Sequence, residues 1–394
     1  MIESPKLLPI HKRFDIAFTH GNGVYLYANN EEYLDFGAGI AVNALGHCHP
    51  KLVSALTKQA QKLWHVSNIY STDELNNYAE KLVAATFADY VFFCNSGAES
   101  LECVIKMIRR HFFVKNQPHK NRIITFSGAF HGRTIATISA AGKKKYIEGF
   151  EPALQGFDNV EFGNIEAVKN AINENTAGIL IEPIQGEEGI RVCDKIFIQQ
   201  LRQLADENNL LLAFDEVQCG MGRVGKLFAY EHYEVKPDLI ATAKAIAGGF
   251  PLGACLATKN AASGMTVGVH GTTYGGNPLA MSVANAVLDE ILGKGFLENV
   301  SKKGEELKLQ LEMLQKTFPH IISEVRGIGL MLGLKINDKI ENSTITKKLI
   351  EHRLLVIPAS DNVIRILPPL IINSNHIDEA IEKLRHCFAK VTIS

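Results

Sequence analysis

From Tyr90 onward the chain repeats one rhythm. Short apolar runs (VFF, RIITF, GILI, LLLAF, DLIAT and GACLA) alternate with longer amphipathic segments. Runs this short and this uniformly apolar suit strands buried on both faces, and the helical-period segments between them supply crossovers that cover the sheet. The pattern predicts an α/β fold built on a mostly parallel sheet covered by helices. Upstream, VYLY and YLDF alternate like short antiparallel strands after the break at Gly21 and Gly23, and Pro50 opens a helical pattern running to about Leu63. After about Asn277 a long helical stretch leads into VRGIGLMLGLKI, VIRILPPL and a last segment with Ile377, Ile381, Leu384 and Phe388 on one face. Strand runs followed by a helix predict a smaller α+β domain there. The expected division falls at residues 1–49, 50–280 and 281–394.

Forty-one Lys and Arg face forty-two Asp and Glu. That balance creates no strong field toward nucleic acid or an anionic membrane, so neither is an expected partner. Seven cysteines lie without CxxC pairs. An odd number cannot all pair within one chain, and reduced, buried thiols are expected. MIESPKLLPIHKRFD has no long apolar core or small-residue cleavage site, and no stretch of about twenty apolar residues occurs. The expectation is a cytoplasmic protein.

LLLAFDEVQCGMGRVGKL admits several chemistries. Gly220, Gly222 and Gly225 spell GxGxxG, but DEVQC separates them from the apolar run, where a dinucleotide fingerprint needs its first glycine directly after the strand. A phosphate-binding P-loop fails because Leu227 stands where a hydroxyl should hold magnesium. The glycines read as a backbone-shaping loop. Asp215 remains, an acid carried out of an apolar layer to the strand end where open α/β sheets bind ligands. A turn-forming aspartate is the plainer alternative.

The next apolar run ends near Lys244, among Ala, Ile and Gly. A desolvated lysine has a lowered pKa and attacks carbonyls as a neutral amine, whereas a surface lysine in a glycine-rich loop does not. An acid and an imine-forming amine at consecutive strand ends suggest pyridoxal phosphate, whose pyridine nitrogen needs a carboxylate and whose aldehyde needs an amine. VFFCNSGAES then offers a phosphate site, as a strand, a turn and a helix opening near Ser96. Ser96 and Glu99 also match a capping box, which uses the same donors. In GAFHGRT, Phe130 suits stacking on a flat ring and Arg133 suits a carboxylate. His47 and His49 have no second ligand cluster at metal-binding spacing, so no metal is expected.

Taken in order, CNSGAES, FHGRT, IEPIQGE, FDEVQCGMGR, AKAIAGGFPLGA and HGTTYGGNPLA resemble the class III aminotransferases, pyridoxal-phosphate enzymes of fold type I. The likeness runs from about residue 20 to the C-terminus. It implies a cofactor-binding large domain at 50–280, a small C-terminal domain, and a segment 1–49 serving the small domain and the active-site entrance. Lys244 would carry the cofactor and move the substrate proton. Asp215 would face the pyridine nitrogen, Val217 and Phe130 the two ring faces, and Gln218 the ring hydroxyl. Ser96, Gly97 and Ala98 would hold the phosphate, completed by Thr273 from the other subunit of a homodimer with a shared active site, and Thr272 would touch substrate. Arg133 and Arg365 would bind the α-carboxylates of the two substrates, with Glu187 covering Arg365 in one half-reaction. Within the family, GIAVNALGHCHP, GAFHGRT and KLFAYEHY most resemble members acting on N2-acetylornithine, 2-oxoglutarate and glutamate. The helix text SLECVIKMIRRHF departs from the small residues usual there. Cys219 reads as packing, and Glu182 as a structural acid.

Overall fold

The structure, a computed structural model, describes residues 6–391. Every apolar run that sets the rhythm is a strand of one seven-stranded sheet. Its spatial order is Tyr90–Cys94, Gly253–Ala257, Leu239–Thr242, Leu211–Asp215, Thr176–Ile181, Arg122–Phe126 and Phe157–Val160. The last five pair in parallel, whereas Gly253–Ala257 runs antiparallel to both of its neighbours. The helix Gly97–Val114 buries Leu101, Val104, Ile108 and Phe112 completely, the three-to-four spacing that turns one helical stripe onto a sheet.

Three short strands open the chain, His20–Asn22, Tyr25–Ala28 and Glu31–Asp35. Leu354–Leu355, near the other end of the chain, completes their sheet in parallel with the third. A further antiparallel sheet joins Ile322–Ile328, Met331–Ile336, Val363–Ile366 and Ile357–Pro358. The helix Pro50–Ala60 stops short of Leu63, whose carbonyl instead accepts the Gln59 side-chain amide at 3.0 Å. No helix among the described residues is long and apolar enough to cross a membrane.

Two features of the glycine-rich stretch 220–227 follow from packing. Gly222 and Gly225 have φ of 89° and 80°, and a Cβ on Gly225 would lie 2.1 Å from Ser301 Oγ. Between them Arg223 is fully buried and donates to the carbonyls of Leu330 and Pro368. The loop therefore docks onto the C-terminal part of the chain, with no helix opening at its third glycine.

Candidate active site

Parallel strands present their carboxyl ends on one edge, and that edge gathers the chemistry. Asp215 ends its strand opposite Ala241, and Lys244 follows the neighbouring strand by two residues. Lys244 holds φ of 46°, a left-handed backbone costly for a side-chain-bearing residue, which turns the chain into the short helix Lys244–Ala247. A cavity of about 310 Å³ lies here. Ser96, Gly97 and Ala98 line it, as do Phe130, Asp215, Val217, Gln218 and Lys244.

Lys244 is half-buried and lines this cavity. Burial pulls its pKa down to about 8, reinforced by the Arg365 charge and opposed by Asp215, Glu182 and Glu187. Part of the lysine is thus neutral near physiological pH. Asp215 is fixed from two sides. Its Oδ1 accepts the Val217 N–H at 3.0 Å, and its Oδ2 lies 2.8 Å from His131 Nδ1. Burial disfavours charge on His131, but the hydrogen bond and charge of Asp215 outweigh it and raise the pKa of the ring. Glu182 accepts the Phe130 N–H at 2.7 Å, and burial with repulsion from Asp215 pushes it up to about 7. His131 Nε2 is buried without a partner.

At the other end of the cavity, Ser96 caps the helix Gly97–Val114. Its Oγ accepts the Glu99 N–H at 3.2 Å while Glu99 accepts the Asn95 N–H at 2.7 Å. Ser96 is the cap, but Glu99 turns to the Asn95 N–H and does not close a capping box on Ser96, and Gly97 and Ala98 of the first turn line the cavity where a phosphate suits the helix dipole. A Cβ on Gly97 would meet Val217 Cγ1 at 2.8 Å, so the phosphate-side turn and a ring-side residue are packed to contact.

None of the remaining predicted residues lines this cavity, but Arg365 and Thr272 contact residues that do, Gln218 and Asn95. Arg365, buried on the strand Val363–Ile366, pairs with Glu187 at 2.9 Å and reaches Gln218 Oε1 at 3.4 Å. Burial lowers its pKa against the opposing effect of Glu187. Arg133 is exposed, with its guanidinium over the Tyr146 ring. Thr272 Oγ1 accepts from the Asn95 side chain at 3.3 Å, and Thr273 is exposed and does not line this chain's cavity. His47 is held by Asp35 at 2.8 Å.

His131, between Phe130 and Arg133 in the same strand-end loop, has no role legible in the sequence. Tyr146 and Glu216 are equally silent there. Glu216 is a buried acid raised by burial to about 8 that accepts the Ala229 and Tyr230 N–H groups, the latter at 2.9 Å.

A half-buried amine and a buried carboxylate on adjacent strand ends, with the first turn of a helix beyond them, fit pyridoxal phosphate: each polar part of that molecule would find a complementary group. Site and sheet together define a pyridoxal-phosphate type of transferase. The Aminotransferase class-III family model matches residues 9–388, and the chain belongs to that family. It is 56% identical over 374 residues to the acetylornithine aminotransferase of Mesorhizobium japonicum, covering 95% of this chain and 93% of that one. It is 54% identical to the enzyme of the same name from Agrobacterium fabrum, over 96% and 95% of the two chains. Among solved structures it is similar to the ornithine aminotransferase of Toxoplasma gondii, with a TM-score of 0.94, 28% identity and coverage of 98% and 92%. It is also similar to the N-acetylornithine aminotransferase of Stenotrophomonas maltophilia, with a TM-score of 0.84, 36% identity and coverage of 95% and 96%.

Proposed function

We propose that this pyridoxal-phosphate-dependent enzyme moves the terminal amino group of N2-acetyl-L-ornithine to 2-oxoglutarate, giving N-acetyl-L-glutamate 5-semialdehyde and L-glutamate, a step of arginine biosynthesis. The observation that carries the reading is the Arg365–Glu187 pair at 2.9 Å together with Arg133, which pairs with no acidic side chain among the described residues. One guanidinium is free for the α-carboxylate of the ω-amino substrate, while the other is reserved until a dicarboxylate displaces Glu187. Relatives named acetylornithine aminotransferase at 56% and 54% identity support the same substrate.

When bound, pyridoxal phosphate supplies an electron sink for the carbon that loses its proton. Lys244 would hold the cofactor and would move that proton as a neutral amine, which its lowered pKa favours. Asp215, braced by His131 and the Val217 amide, presents negative charge to the ring nitrogen. Phe130 and Val217 would exclude water from the two ring faces, Gln218 would meet the ring hydroxyl, and Ser96, Gly97 and Ala98 would hold the phosphate, all of them residues that line the cavity. The exposure of Thr273, outside its own cavity, supports its service in a partner's site and a homodimer as the active form, with Thr272 contacting substrate. We assign cofactor binding to residues 50–280, and the small domain to 281–394 joined by 1–49, which the pairing of Leu354–Leu355 with Glu31–Asp35 supports. Seven free cysteines, all but Cys48 buried, support a cytoplasmic setting.

Specificity constants for acetylornithine, ornithine, 4-aminobutyrate and succinyl-diaminopimelate, with 2-oxoglutarate as acceptor, test the assignment. Acetylornithine is expected to lead, with succinyl-diaminopimelate as a second substrate. A higher constant for ornithine or 4-aminobutyrate overturns it.

A further inference from the structure

The two arginines of the site are held in different ways. Arg365 meets a carboxylate, Glu187. Among the described residues no acidic side chain pairs with Arg133. Its guanidinium carbon instead lies 4.0 Å from the centroid of the Tyr146 ring and 5.6 Å from that of Phe130. A guanidinium resting on an aromatic face keeps its N–H edges free, so it can offer parallel hydrogen bonds to a planar carboxylate without first leaving another partner.

Tyr146 is itself fixed from several directions. Its ring meets Phe130 edge to face, with centroids 6.1 Å apart at 90°. It lies in the short helix Lys144–Ile147, which follows Gly142, a residue at φ of 67° that ends the preceding helix Ile135–Ala141. Lys143 ties this segment to Glu188 at 2.5 Å, next in sequence to Glu187. The Tyr146 segment is therefore anchored to the loop that covers Arg365 and to the residue that faces the cofactor ring.

We propose that Tyr146 is a specificity-determining positioning residue: its aromatic face holds the Arg133 guanidinium edge-on to the substrate α-carboxylate and so favours carboxylate-bearing ω-amines. The proposal rests on the assignment of Arg133 to that carboxylate, made above. It separates two tasks, charge supplied by Arg133 and orientation supplied by Tyr146.

The test measures half-reactions of the holoenzyme by stopped-flow absorbance with N-acetylornithine, with N-acetylputrescine and with glutamate. N-acetylputrescine keeps the amine and the acyl amide but lacks the carboxylate. R133A and Y146L are both expected to lower the ratio of kcat/KM for acetylornithine over acetylputrescine, Y146L by on the order of tenfold and chiefly through KM. Y146F, which keeps the ring, is expected to hold that ratio within about twofold of the wild type. If R133A lowers the ratio while Y146L leaves it, or if Y146L slows all three substrates alike, Tyr146 only packs and the proposal is wrong. If R133A itself leaves the ratio unchanged, the assignment of Arg133 fails and that of Tyr146 with it. Should Y146L not yield soluble holoenzyme, Y146M carries the same expectations.

Discussion

Replacing Glu187 with alanine separates the two half-reactions. In the wild type a dicarboxylate must displace Glu187 from Arg365 before it binds, because the two side chains already meet at 2.9 Å. Exposed ion pairs are worth about 0–1 kcal/mol and breaking a buried one costs about 3–5 kcal/mol. Arg365 is 2% exposed but Glu187 is 34% exposed, which places this pair nearer the lower range, at about 1–2 kcal/mol. Removing the competitor then favours glutamate by roughly 5- to 30-fold. The same change leaves an uncovered cation beside the amine-bearing chain of acetylornithine, which does not gain. In single-turnover absorbance measurements the ratio of glutamate to acetylornithine kcat/KM is expected to rise by about tenfold. A ratio within about twofold of the wild type would show that Glu187 does not gate Arg365, and the two-arginine account would fall.

Lys244→Ala is expected to abolish transamination, and borohydride treatment of the wild-type holoenzyme should leave its label on Lys244; near-normal turnover by the variant would refute the assignment. Because burial lowers this lysine from 10.5 to about 8, capture of pyridoxal phosphate by the cofactor-free protein should accelerate with pH and level off above about 8. The unfolded chain binds the proton more tightly between those values, so the cofactor-free fold should also gain stability as pH rises from about 8 to 10.5. A capture rate indifferent to pH would contradict both. Gly97→Ala, whose Cβ would lie 2.8 Å from Val217 Cγ1, should cost about 1–3 kcal/mol and weaken cofactor retention in equilibrium dialysis. His131→Phe removes the ring nitrogen 2.8 Å from Asp215 and should loosen the cofactor by about 1–3 kcal/mol; unchanged retention would leave Asp215 acting alone.

The sheet was legible because its strands are buried on both faces, so that RIITF and LLLAF announce themselves by composition alone. The order of those strands was not, and neither was the reversal of Gly253–Ala257, since an apolar run carries no sign of its direction. Asp215 and Lys244 were readable as a pair because consecutive parallel strands deliver their ends to one edge. His131 was hidden by its neighbours: in FHGR the aromatic and the arginine have obvious chemistry, and only the fold shows which way the imidazole turns. Tyr146 eluded reading for a related reason. KKKYIEGF looks like a solvated charged turn, and its contact with Arg133 depends on how the chain returns after Gly142. The GxGxxG stretch shows the reverse case, in which a recognisable string serves packing around Arg223.

The pairing of Leu354–Leu355 with Glu31–Asp35 bears on biosynthesis. On the ribosome, the hairpins leading to Glu31–Asp35 emerge long before their missing neighbour is translated. Until then the open flank of Glu31–Asp35 offers unpaired amides and carbonyls to any strand nearby, including those of other nascent copies. Final closure of the small sheet thus waits until Leu354–Leu355 has been made, and ending the chain before Leu354 would strand these hairpins without their partner.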